Sequence, residues 1–196
     1  MPEMSAIARA LCTASPYRVF ARHVLLPWAL QGLAPSGDVL EVGGGAGTMA
    51  STLLERDPDI RITVTDVDDA MLRGARRALR SYGSRATVRR GDATNLRFVD
   101  ASFGTVLSFL MLHHVGDWQD ALREIGRVLR RGGRLIGYDI TDTRVMRIAH
   151  GVEADDAVML ITPAELREAL SSLPFRGVRV QPGLRGQVMR FTATRR

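Results

Sequence analysis

Lysine is absent from this chain. All 27 basic residues are arginine, set against 21 Asp and Glu, and the formal charge is +6. A glycine loop that cradles phosphates needs a lysine behind it, so a P-loop is excluded. Cysteine is nearly absent. Cys12 stands alone, so no intrachain disulfide can form, and a lone thiol of this kind reads as a packing residue. Long apolar runs are also missing. The longest, Val24 to Leu30, is interrupted by Pro27 and is far too short to cross a bilayer. The N-terminus lacks the succession of charged, apolar and cleavage-site regions that marks a signal peptide. The expected location is therefore the cytoplasm, with no membrane association.

What the chain does have is ordinary globular composition. Its 196 residues, 45% hydrophobic and 24% charged, suit one domain with one sizeable core. The basic excess invites a nucleic-acid partner. The arginines, however, run from Arg9 to Arg196. The densest group, Arg73, Arg76, Arg77, Arg80, Arg85, Arg89 and Arg90, falls at helical spacings and then on a strand edge, as a solvated face does. Uniform arginine beside abundant Ala, Gly and Val also matches the codon usage of a GC-rich genome. Nucleic acid is thus not the favoured partner, and the oligomeric state is not readable.

The segmentation is regular. Residues 1–34 read as a helical segment ending before the Pro35-Ser36-Gly37-Asp38 turn cluster. Val39 to Val42 reads as a strand, Thr48 to Arg56 as a helix, and Ile60 to Thr65 as a strand rich in β-branched residues. Asp68 to Ser81 is an amphipathic helix. Ala86 to Arg90 and Phe103 to Phe109 are strands. Trp118 to Leu129 is a helix stopped by Arg130-Arg131-Gly132-Gly133. Arg134 to Ile140 is a fifth strand. Thr162, Pro163 and Glu165 open a last helix with a capping box. Phe175 to Gln181 and Gln187 to Thr194 close the chain as two strands. Alternating strands and helices imply βαβ units and a mainly parallel α/β sheet. The short link between the last two strands forces an antiparallel hairpin. We expect a single domain over 1–196, with a binding core over 38–140 and the last helix and hairpin over 141–196.

Gly43, Gly44, Gly45 and Gly47 follow the first strand, where ligands of parallel sheets bind. A dinucleotide fingerprint would require a third glycine at Thr48, which disfavours a nicotinamide oxidoreductase. Three carboxylates belong to the same row of strand ends. Glu41 lies within the loop motif. Asp66, after the second strand, can hold both hydroxyls of a ribose. Asp92, after the third, can accept from an adenine amine. With no basic residue beside the loop, the set suits a ligand with a ribose, an adenine and a cation, not a pyrophosphate.

VLEVGGGAGT (Val39 to Thr48), TVTDVDDAMLRGARR, GDATNLRFVDASFGTVLSFLMLHHV and LREIGRVLRRGGRLIGYDI, in that order, resemble the small class I methyltransferases with a Rossmann-like fold. The resemblance covers roughly Asp38 to Ile140. It implies a seven-stranded sheet with the last strand antiparallel, and S-adenosyl-L-methionine as methyl donor, with S-adenosyl-L-homocysteine as product. By position, Glu41, Gly43, Gly44, Gly45 and Gly47 would hold the methionine part. Asp66 would take the ribose, Val67 would flank the adenine, Met71 would be another cofactor-binding residue, and Asp92 and Ala93 would bind the adenine edge. Phe109 and Leu110 would border the methionine moiety, with Tyr17 as a further cofactor contact. His113 and His114 would lie near the methyl, either one able to act as a base. Asp139 and His150 read as structural, and no metal is expected. One position departs from the family pattern: Gly104 stands where an acid usual for structural reasons is found.

The place after the fourth strand reads SFLMLHH, not the Asn/Asp-Pro-Pro-aromatic segment of amino-directed DNA methyltransferases. Cytosine-ring methylation needs a cysteine nucleophile, and Cys12 is remote from every motif. The link from Thr141 to Ile161 leaves no room for a large substrate domain. A small-molecule acceptor is therefore expected. The alternative is a cofactor-binding or RNA-associated module of the same fold without turnover.

Overall fold

The computed structural model describes residues 19–150 and 159–196. Tyr17 and Cys12 lie outside these residues, as does the side chain of His150. A π-helical turn, Ala21–Leu25, leads straight into α1, Leu26–Leu30. The sheet and its helices then follow as β1 (Asp38–Val42), α2 (Thr48–Arg56), β2 (Arg61–Asp66), α3 (Asp69–Leu79), β3 (Ala86–Arg90), β4 (Phe103–Phe109), α4 (Trp118–Val128), β5 (Leu129–Ile140), α5 (Arg144–His150), α6 (Pro163–Ser172), β6 (Phe175–Gly183) and β7 (Val188–Arg195).

The strand order is β3-β2-β1-β4-β5-β7-β6. All neighbours pair parallel except β7, which runs antiparallel to both β5 and β6. The chain winds outward from β1 to β3, then returns to β4 on the other side of β1. The order reverses between β1 and β4, and a crevice opens at their carboxyl ends. This is the expected Rossmann-like architecture with its closing hairpin.

Strand alternation divides the core between the two faces. Leu40, Val42, Val106, Leu135 and Phe191 point to one side and pack under α4 and α6, against Leu122, Ile125, Leu166 and Leu170. Val39, Ile62, Val64, Leu107 and Ile136 point to the other, under α1 and α2, against Leu26, Ala29, Leu53 and Leu54. Burying each such side chain contributes about 1.5–3 kcal/mol, so the two clusters supply most of the driving force.

Three local readings are corrected. Arg130–Gly133 is not a simple helix stop: β5 already pairs at Leu129 with Phe103, and the register then slips before Thr105 meets Arg134. Gly132 takes a φ of +77° inside this bulge. The stretch after β5 contains a short helix, α5, where a plain link was expected. Gly104 does not leave β4 short of a structural acid. A Cβ there would lie 3.0 Å from the Ser36 carbonyl, so the glycine lets the segment before β1 close over the start of β4.

Candidate functional site

The glycine loop is built for close approach. Gly43, Gly45 and Gly47 all have positive φ. A Cβ on Gly43 would fall 2.2 Å from the Met111 side chain, and one on Gly44 would fall 2.6 Å from Val64. A side chain at either position would displace a packed neighbour, and Gly43, Gly45 and Gly47 hold the left-handed backbone that favours glycine. Met71 is buried on α3, its sulfur 3.9 Å from where a Gly45 Cβ would sit.

Burial raises the pKa of both nearest carboxylates. Glu41 is buried on β1 between the sheet and α2. Burial pushes its carboxyl up to about 8, against an amide hydrogen bond from Ala50 that opposes the shift. Its Oε2 has no hydrogen-bond partner among the described residues. An orphaned buried carboxylate oxygen is costly unless a ligand completes it. Asp66 is half-buried at the end of β2. Its Oδ2 accepts from Gly45 N at 2.9 Å and its Oδ1 from Asp68 N at 2.9 Å. Burial raises its pKa against those two amides. Asp66 therefore anchors the loop and is not the helix cap. The cap of α3 is Asp68, whose Oδ1 accepts from Ala70 N and Met71 N. A carboxylate has about four acceptor positions, so Asp66 keeps capacity for two hydroxyls.

Asp92 follows β3. Its Oδ1 accepts from both the amide and the hydroxyl of Thr94, and these bonds hold its pKa low despite the opposing desolvation. The turn engages one of its two oxygens. Ala93 beside it is buried and Val67 is half-exposed. Arg127 on α4 pins this loop from below. It donates to the carbonyls of Leu96 and Phe98 and to Asp100 and Glu124, while Glu124 accepts from Leu96 N. Neither Arg127 nor Glu124 is distinguishable in the sequence from the other charges of an amphipathic helix.

Past β4, Phe109 is buried and stacks on Tyr138 with ring centroids 5.2 Å apart. Leu110 adopts a φ of +51°, a left-handed conformation that costs a non-glycine residue of order 1 kcal/mol or more. The strained turn throws the chain across the end of β5. There Asp139, fully buried, accepts from Met111 N at 3.2 Å and Leu112 N at 2.8 Å through Oδ2. Its Oδ1 lies 2.5 Å from His113 Nδ1. The His114 ring leans on that of His113, centroids 3.9 Å apart, and is half-exposed. Met111 therefore links the two halves of the site: its side chain abuts Gly43, and its amide is held by the carboxylate that holds His113. Met111 is not singled out by the sequence, and Asp139 reads there only as structural. The partner of Asp139 is 26 residues away, and only the β4–β5 register brings them together.

Known proteins agree with this picture. Residues 39–133 match a family model described as a methyltransferase domain. The chain is 40% identical over 109 residues to the ubiquinone/menaquinone biosynthesis C-methyltransferase UbiE of Paracoccus denitrificans, covering 55% of this chain and 44% of that protein. It is 36% identical over 98 residues to the demethylmenaquinone methyltransferase of Deinococcus radiodurans, covering 50% and 41%. The chain spans about half the length of the curated relatives it matches. Among solved structures, the PH0226 protein from Pyrococcus horikoshii OT3 superposes with a TM-score of 0.79 at 17% identity, covering 99% of this chain and 100% of that one, which shows a shared fold.

Proposed function

We propose that this chain is a class I S-adenosylmethionine-dependent methyltransferase that methylates a small molecule at an atom that must give up a proton. The site residues fit the cofactor. The orphaned Glu41 oxygen suits the ammonium of its methionine part, the bare loop from Gly43 to Gly47 suits close approach, and Asp66 and Asp92 suit the ribose and adenine. When bound, the cofactor supplies a methyl group on a sulfonium, already activated for in-line displacement.

The chain's own chemistry lies with His113. The Asp139 carboxylate fixes its Nδ1–H, so Nε2 is the nitrogen that takes a proton. Asp139, fully buried, holds the ring in this orientation. His114 borders the acceptor, and Met111 keeps the pair in register with the glycine loop. The observation that carries this reading is the buried His113–Asp139 contact just past the end of β4. The names of the relatives, ubiquinone/menaquinone biosynthesis C-methyltransferase and demethylmenaquinone methyltransferase, support a quinone-type acceptor methylated on carbon.

Calorimetric titration with S-adenosylhomocysteine tests the cofactor half of this proposal. Asp66→Ala is expected to weaken binding more than about tenfold, or 1.4 kcal/mol. No binding of the wild-type chain at millimolar ligand overturns the reading. Methyl release over a panel of quinols and other acidic carbon or hydroxyl acceptors tests the other half. His113→Ala is expected to lower kcat by about 10²–10⁴ with cofactor affinity unchanged. Asp139→Asn should lower kcat with cofactor affinity unchanged. An unchanged kcat would make Asp139 merely structural.

A further inference from the structure

The formal charge of +6 is not spread along the chain. The last 28 residues hold six of the 27 arginines and none of the 21 Asp and Glu side chains, so everything before Ala169 is electrically balanced. A GC-rich codon preference explains why the basic residues are arginine. It does not explain why the whole surplus sits on one hairpin.

The register of that hairpin gathers the surplus on one face. Arg134 on β5 pairs with Thr194 on β7, which pairs with Arg176 on β6. In the next row facing the same way, Ile136 is followed by Thr192 and Arg179, and in the next, Tyr138 by Arg190 and Gln181. The opposite face carries Val180, Phe191 and Ala193 into the core beneath α6. Arg134, Arg176 and Arg179 are exposed, and among the described residues no carboxylate pairs with any of them. Arg190 is fixed across the face by Gln181 and the Trp28 carbonyl. Around the lower rim, a groove of about 530 Å³ is lined by Arg131, Gly132, Arg176, Arg195 and Arg196.

We propose that this face docks the phosphate backbone of a nucleic acid, without reading its sequence. Same-face residues on a strand are about 7 Å apart and neighbouring strands about 4.8 Å, so the guanidinium groups form a fixed array suited to a repeating anion. Arginine, threonine and glutamine are the side chains that contact phosphate oxygens. Interfaces with nucleic acid are strongly cationic, whereas protein interfaces need a buried apolar or aromatic anchor, and membrane binding needs an apolar insertion. The apolar side chains of these rows, Ile136 and Tyr138, are buried, as are Val180 and Phe191 on the other face. Phe175 and Phe191 are likewise unavailable to stack on bases, which favours recognition of the backbone. Protection of the open β6 edge would be met by Arg176 and Arg179. It accounts for neither Arg134, two strands in, nor the arginine groove.

The test is fluorescence anisotropy of a labelled RNA duplex titrated with the full chain at several salt concentrations. Binding should weaken with salt, with a log–log slope of about −0.9 per phosphate engaged. The triple variant R134Q/R176Q/R179Q should bind at least tenfold more weakly and lose about three units of that slope, while its thermal melt matches the wild type. The corresponding triple lysine variant should retain most of the affinity. No duplex binding at low salt overturns the proposal, as does binding that survives the glutamine variant. Capture of polyglutamate or phosphatidylglycerol vesicles in place of the duplex would also overturn it, by assigning the face to an acidic protein or a membrane.

Discussion

Glu41 is the residue whose chemistry is most at odds with its surroundings. Its carboxyl is pushed up to about 8 by burial, whereas in the unfolded chain it titrates near 4.5. The folded protein therefore holds this proton through a range in which the unfolded chain has released it. The stabilisation is complete below the unfolded pKa and is lost as pH rises towards 8, on the order of 5 kcal/mol across the window. Asp66, also raised, acts in the same direction. Denaturant unfolding of the ligand-free protein at pH 5 and at pH 9 should show lower stability at the higher pH. Glu41→Gln keeps the shape without the charge and should remove most of the difference. If the variant retains the full pH dependence, the burden lies elsewhere. A cationic ligand reverses the balance at this one oxygen, so binding near pH 7 should release a proton, visible as a binding enthalpy that changes with buffer ionisation. Glu41 is legible in the sequence because the loop motif contains it. Its state is not, because burial depends on how α2 closes over β1.

At the scale of elements, the strands are legible because short β-branched runs end in glycine or aspartate, and the capping box of α6 forms as its residues suggest, with Thr162 and Glu165 satisfying each other's amides. Helix α5 is not legible. Val145 and Ile148 are exposed, so it offers no apolar stripe of the usual kind. The bulge at Arg130–Gly133 resembles a helix stop because basic residues followed by glycine serve both purposes. The most sensitive strand position is Gly137 on β5. A Cβ there would meet the Phe191 ring at 2.3 Å and the Ser108 carbonyl at 2.5 Å, and neither a packed ring nor a backbone oxygen can retreat cheaply. Gly137→Ala is expected to cost about 3 kcal/mol of stability. Because β5 carries Asp139 two residues on, the same change should loosen the His113 contact. A denaturation midpoint within error of the wild type would mean that β7 shifts freely against β5, contrary to its place between two paired strands.

At the scale of the whole molecule, the crevice is where the two halves of the core meet. Glu41 and Asp66 hang from the face covered by α1 and α2, while Asp139 and His113 belong to the face covered by α4 and α6. Met111, pressed against Gly43, is the contact between them. A ligand spanning the ends of β1, β2, β3 and β4 therefore ties both halves, and any ligand that binds only the folded state adds RT ln(1 + [L]/Kd), about 2.7 kcal/mol at a hundred times Kd. For a chain of 196 residues that amounts to a rise of roughly 5–10 °C in Tm. Thermal unfolding with saturating S-adenosylhomocysteine should show that rise as a single displaced transition, because both clusters are held at once. NAD should produce none, since the loop lacks the glycine that admits a pyrophosphate. Asp66→Ala should reduce the shift at fixed ligand concentration. Two separate transitions, with only one moved by ligand, would mean that the halves unfold independently and that the Met111 contact does not couple them.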